Sequence, residues 1–250
     1  MTVDFSNVWA IARKDLSIVA KKRQVTSSIL IWPLVFSVLL PLVTYFLVTR
    51  GRVLSALEGI MDAFTLIWIF APLAFEGYIA GYTFVGEKVE KTMEPLIATP
   101  VTDGEILLGK MLVAIIPVYV AVYVAITIFM LLMNLATASV IQPPYFPDGI
   151  LEGVALVDLV AIIFGAEFSV IVSSRVSGIF SAQIISATAA IPFILFYVLS
   201  LLSAEGSIKI ITLDFNTLLI IAGIFLAIDV IFFFVVISLF QREKLVSKGK

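Results

Sequence analysis

SSILIWPLVFSVLLPLVTYFLV, running from Ser27 to Val48, contains no charged residue. A helix crossing a bilayer needs about 20 predominantly apolar residues. This stretch is long enough, and its two prolines, Pro33 and Pro41, are tolerated in membrane helices where neighbours satisfy the freed backbone groups. It therefore reads as a membrane span. Working outward, five further segments meet the same test. They are Ala63 to Val85 with one acid, Glu76; Met111 to Asn134 with no charge; Gly153 to Ser174 with Asp158 and Glu167; Ser177 to Ser203 with no charge; and Thr217 to Phe240 with Asp229.

The composition agrees. The chain has 250 residues, of which 61% are hydrophobic and 14% charged. Soluble domains lie nearer half apolar and a quarter charged. The predicted fold class is an all-α polytopic membrane protein, one domain over residues 1–250 with six transmembrane helices. A net charge of -2 gives no reason to expect nucleic acid as a partner. The chain has no histidine and no cysteine. That removes disulfides, the usual general base, the His-paired nucleophiles and a conventional zinc site. An intramembrane enzyme would have to be built from paired acids meeting across spans.

Lys and Arg set the orientation. With the N-terminus inside, Arg13, Lys14, Lys21, Lys22, Arg23, Lys88, Lys91, Lys110, Arg175, Arg242, Lys244, Lys248 and Lys250 fall on the cytoplasmic side. Only Arg50, Arg52 and Lys209 fall outside. This asymmetry predicts that both termini are cytoplasmic; the expected location is the cell's plasma membrane. No cleavable signal is evident, since the first apolar segment is a full span without a small-residue cleavage site.

Residues 4–24 differ in kind. Phe5, Val8, Trp9, Ala12, Leu16 and Val19 recur at helical spacing, while Arg13, Lys14, Ser17, Lys21 and Lys22 lie off that stripe. The pattern predicts an amphipathic helix lying in the inner interface against membrane lipid. A lipid anchor and a collar touching a cytoplasmic partner are both compatible with it.

The loop between the second and third spans, residues 86–110, holds the pattern Gly104-Glu-Ile-Leu-Leu-Gly-Lys110, which mimics a phosphate loop. The surroundings argue against nucleotide binding. Met111 stands where Ser or Thr holds magnesium, Glu105 would repel phosphate, and no strand precedes the pattern. Thr102-Asp-Gly-Glu105 instead matches a capping box, with Thr102 and Glu105 starting the helix that becomes the third span. Glu87 and Lys91 form an i,i+4 pair, and Pro95 and Pro100 bracket the apolar Leu96-Ile-Ala-Thr99. A charged elbow with an apolar tip fits a docking surface; an ordinary turn against the membrane fits equally.

Three stretches resemble a known family, the type-2 ABC transporter permeases: Gly86-Glu-Lys88, then Thr92-Met-Glu-Pro-Leu-Ile-Ala-Thr-Pro-Val-Thr102, then Glu105-Ile-Leu-Leu-Gly-Lys110. Ala12-Arg-Lys-Asp-Leu16 resembles the family's interfacial helix, and Leu239-Phe-Gln-Arg-Glu-Lys-Leu245 its usual ending. Val89 and Lys91 depart from the pattern, and Ala204 to Asn216 is shorter than the re-entrant helix pair of many members. The resemblance implies a transport subunit without its own nucleotide site. It would pair with a second permease chain, identical or homologous, and with two copies of an ABC ATPase subunit that bind ATP and Mg. It also implies export, with Glu87, Glu90, Glu94, Pro95, Leu96, Thr99 and Pro100 coupling the permease to the ATPase.

Glu76, Glu167 and Asp229 fall inside their spans, and Asp158 nearer one surface. An ionised carboxylate at mid-bilayer costs upwards of about 3 kcal/mol. These acids are therefore protonated, bound by a neighbour, or facing a polar cavity. A polar pathway or ion site, as in an ion-coupled carrier or channel, is one reading. The other is hydrogen bonding between helices, with Ser169, Ser173, Ser181, Ser186 and Thr188 as partners. Asp158 and Glu167 are nine residues apart, half a turn out of phase, so one small site cannot take both.

Overall fold

The computed structural model describes residues 3–50, 64, 66–69, 72, 73, 76, 79, 81–86, 100–138, 150–176, 178–191, 195, 198 and 214–239. Among these residues the regular structure is helical, and no strand is present. In chain order come α1 (Phe5–Lys21), α2 (Arg23–Thr49), a π-helical turn (Gly81–Gly86), α3 (Asp103–Thr137), α4 (Ile150–Arg175), α5 (Ile179–Ala187), a 3-10 turn (Thr188–Ala190) and α6 (Phe215–Leu239). The described residues between 64 and 79 are also helical.

Among the described residues, four helices are long and apolar enough to cross a membrane: Val25–Thr49 in α2, Asp103–Thr137 in α3, Gly153–Val172 in α4 and Phe215–Ser238 in α6. Their outward faces carry large apolar side chains, such as Leu39 and Phe46 on α2, Leu131 and Leu135 on α3, and Ile220, Ile231 and Phe234 on α6. In water such surface would be a liability, whereas in hydrocarbon it is the expected exterior. α2 packs on α3, α4 packs on α6, and α3 lies against α4. The core is the seam between them. Trp68 and Phe64, from the second apolar segment, set their rings 5.4 and 6.3 Å from that of Phe129 on α3.

The fifth predicted span, 177–203, has a local break. α5 ends at Ala187 and a 3-10 turn follows. Thr188 Oγ1 donates to the Ile185 carbonyl at 2.6 Å, one residue short of the α-helical partner, which favours the tighter turn. Ala182 and Ala190 are buried here, as is Ala166 on α4.

α1 is a distinct element. Asp4 caps it, its side chain accepting from the Ser6 amide at 2.9 Å. The helix ends at Lys22, whose backbone is extended, and α2 starts at the next residue. α1 packs on α3 through Val8, Ile11, Ala12, Asp15 and Val19. This face differs from the apolar stripe expected from periodicity. Phe5 and Trp9 are 79% and 53% exposed, and Asp15 takes a place in the buried row. The physical reason is that α1 has two apolar surfaces, one for α3 and one turned outward, and an acid on the first is neutralised by a lysine across the interface.

Candidate functional site

Two sets of buried polar groups stand out, one at the junction of α1 and α3 and one inside the helix bundle.

The junction starts from Thr102. Its hydroxyl accepts from the Glu105 amide at 3.4 Å, and Glu105 Oε2 accepts from the Thr102 amide at 2.8 Å, so both halves of a capping box are present. Glu105 has a second oxygen to place. Its Oε1 accepts from the backbone N–H of Asp4 at 2.8 Å. One carboxylate thus fastens the start of α3 to the start of α1. A turn and a half further along α3, Lys110 is fully buried. Its Nζ lies 3.4 Å from Asp15 Oδ2 and donates to the Thr83 carbonyl at 3.3 Å. Lys14, half exposed, adds a weaker approach to Asp15 Oδ1 at 3.6 Å.

Thr83 belongs to the π-helical turn. Lys110 therefore joins three elements: α1, α3 and the end of the second apolar segment. Gly109 permits the approach. A Cβ there would come within 2.9 Å of the Ile11 side chain and 3.0 Å of the Val8 carbonyl oxygen, closer than real Cβ contacts allow. The sequence places Lys110 near the membrane surface and assigns Asp15 no partner, so this ion pair is missed there. Asp15 does fall in register with Val8, Ile11, Ala12 and Val19, and an acid on a buried stripe calls for a cation opposite.

Residues 87–99 join these two roots. The π-helical turn ends at Gly86, and the chain re-enters the described structure at Pro100, an exposed bend followed by Val101 against the core. Of the proposed coupling residues, Glu87, Glu90, Glu94, Pro95, Leu96 and Thr99 lie outside the described residues, as does the Glu87–Lys91 pair. Pro100 sits two residues before the capping box.

The second set comprises Glu76, Asp158, Glu167 and Asp229, all buried among apolar side chains. Both carboxyl oxygens of Glu76, Asp158 and Asp229, and Oε2 of Glu167, accept no hydrogen bond. The expected hydroxyl partners do not serve them. Ser186 Oγ is itself without a partner, and Thr188 is engaged with Ile185. The side chain of Ser173 lies outside the described residues.

Glu76, Asp158 and Glu167 divide between two sides of α4. Glu76 lies against Gly165, where an added Cβ would overlap Glu76 Oε2. Asp158 is seven residues before Gly165, two turns along the same face. Glu167, two residues after Gly165, falls on the opposite side of α4. The nine-residue offset between Asp158 and Glu167 gives this division.

No protein-family model matches the chain, and no curated protein matches it.

Proposed function

We propose that the chain is the membrane-spanning subunit of an ATP-driven exporter of the type-2 ABC permease kind. In this reading six spans lie in the plasma membrane with both termini cytoplasmic. Two permease chains pair with two ATPase subunits, which bind ATP and Mg, and residues 87–99 form the elbow that docks on the ATPase.

The observation that carries the reading is the fastening at the elbow's roots. Lys110 ties the turn before the elbow to α1 and α3, and Glu105 ties the helix after it to α1. A push on the elbow is then delivered to α1 and α3 together, as a rigid unit, rather than absorbed by bending of the loop. Rigid-body transmission of this kind needs buried contacts with two-sided geometry. The resemblance of residues 86–110 to the family's coupling segment supports the same reading.

Co-purification tests it. The full chain, expressed with an ABC ATPase subunit encoded beside it, is expected to form a stable complex in detergent. Glu94→Lys and Leu96→Asp are expected to weaken the complex without changing the chain's own elution profile. Complexes that survive both changes would refute docking through the elbow.

An ion-coupled carrier is the second reading, favoured by the unpartnered Glu76, Glu167 and Asp229. It predicts transport driven by an ion gradient without ATP, abolished by Glu76→Gln or Asp229→Asn.

A further inference from the structure

A long piece of α1 meets a short piece of α3. The Asp4 amide donates to Glu105 at 2.8 Å, and Asp15 meets Lys110 at 3.4 Å. Between these two ties Ile11 lies over Gly109. Asp4 to Asp15 is about 16 Å of helix, whereas Glu105 to Lys110 is about 8 Å. Helices running side by side would match equal lengths, so α1 crosses α3 steeply. α3 is long enough to span a bilayer. Spanning helices tilt by about 20° from the membrane normal. With α3 so placed, α1 lies close to the membrane plane.

The height of α1 is set by the next helix. α1 ends at Lys21, Lys22 makes an extended corner, and α2 begins at Arg23. The stretch able to cross a membrane starts at Val25. Lys21, Lys22 and Arg23 therefore stand at the membrane boundary, and all three are exposed.

The rotation of α1 is set by α3. The row Val8, Ile11, Ala12, Asp15 and Val19 is buried. Phe5, Trp9 and the half-buried Leu16 fall within about 40° of one another, roughly a quarter turn from that row. Arg13 follows Trp9 by one turn and is exposed on the margin of this apolar strip. Apart from the cap Asp4, every exposed charge from Val3 to Arg23 is basic: Arg13, Lys14, Lys21, Lys22 and Arg23.

These features select the partner. Exposed aromatic rings level with the start of a span fit the junction of headgroups and acyl chains. Basic side chains reach phosphates there while their stems cover apolar surface. A zwitterionic headgroup brings its own ammonium to the phosphate. An anionic headgroup leaves net charge for the protein to meet, which strengthens binding about five-fold per basic residue at the surface. An acidic protein could meet the charges, but not a strip level with the edge of the hydrocarbon.

We infer that α1 binds anionic phospholipid: Arg13, Lys21, Lys22 and Arg23 hold the headgroups, and Phe5 and Trp9 enter the bilayer beneath them. This is independent of docking to an ATPase, which is read by complex formation.

The test uses the purified full chain in bilayers of uniform composition, so the result does not depend on the side that α1 faces. Phosphatidylglycerol or phosphatidylcholine brominated in the acyl chain quenches the tryptophans it touches. The Trp9 signal is the difference between the parent and Trp9→Phe, which leaves Trp32 and Trp68 in place. Phosphatidylglycerol is expected to associate at Trp9 about five-fold more strongly than phosphatidylcholine. Arg13→Gln, Lys21→Gln and Arg23→Gln together should bring that ratio to within about two-fold of one, and high salt should do the same. Lys14 is kept because it approaches Asp15. Arg13→Lys, Lys21→Arg and Arg23→Lys together retain the charge and should retain the preference, which separates charge from misfolding. The inference is overturned if the parent shows no preference or if the triple glutamine variant keeps it. It is also overturned if Trp9 is quenched by acrylamide and by neither lipid, the result for a strip that awaits a protein partner.

Discussion

Replacing Lys110 with Met keeps a straight apolar stem of similar length and deletes the charge. The consequence follows from the junction's geometry. Lys110 is fully buried and its Nζ lies 3.4 Å from Asp15 Oδ2. At that distance, with an effective dielectric constant of about 20, the gross attraction is about 5 kcal/mol. Much of it offsets the cost of burying the two charges. What the single substitution removes is the compensation, leaving Asp15 buried against an apolar group. Breaking a buried pair in this way costs about 3–5 kcal/mol. Lys14, 3.6 Å from the other Asp15 oxygen, places the expected loss at the low end, about 3 kcal/mol. Lys110→Met with Asp15→Leu removes both charges and is expected to cost less than Lys110→Met alone, so the cycle carries a coupling of about 2 kcal/mol. Unfolding in mixed micelles, followed by tryptophan fluorescence, reads it directly. Single and double variants of equal stability, or singles within about 0.5 kcal/mol of the parent, would refute the reasoning.

Four further outcomes are expected. Gly165→Ala should destabilise by about 2 kcal/mol in thermal unfolding because the new Cβ overlaps Glu76, and Glu76→Ala should largely suppress that loss; purely additive losses would contradict the contact. Gly109→Ala should part α1 from α3 by crowding Ile11 and the Val8 carbonyl, seen as faster amide exchange along α1 with α6 unchanged. Thr102→Ala should cost about 1 kcal/mol in chemical unfolding, and Glu105→Ala more, since Glu105 also holds the Asp4 amide. Asp214 accepts from the hydroxyl and the amide of Thr217, which hold its carboxyl below its ordinary 3.8, so it favours the folded start of α6 above that pH; acidifying through the lowered value should speed exchange of the Leu218 amide.

Much of the helical architecture was legible because hydrocarbon leaves the chain few options. Ser27 to Val48, Met111 to Asn134, Gly153 to Ser174 and Thr217 to Phe240 announce themselves by length and lack of charge, and each overlaps a helix able to cross a membrane. Thr102 and Glu105 were legible because a capping box is a local motif with fixed spacing. The 180° offset between Asp158 and Glu167 was legible as arithmetic. What the sequence hid is everything that depends on which helix faces which. Nothing near Lys110 in the chain names Asp15, 95 residues away, as its partner. Phe5 and Trp9 share a period with Val8 and Ala12, yet periodicity alone does not say which apolar side of α1 meets α3. The π-helical turn Gly81–Gly86 and the 3-10 turn Thr188–Ala190 arise from local backbone choices that hydropathy does not register. The packing of Phe164 on α4 against Phe225 and Phe232 on α6 required the rotation of α4 against α6.

The most direct test of the account is ATP hydrolysis by the purified chain in proteoliposomes, alone and with the ABC ATPase subunit encoded beside it. The account predicts no hydrolysis by the chain alone and vanadate-sensitive hydrolysis by the complex. Glu94→Lys should lower that hydrolysis, and so should Lys110→Met, which acts away from the elbow through the junction at its roots. Hydrolysis by the chain alone, or a complex whose activity ignores both substitutions, would contradict it.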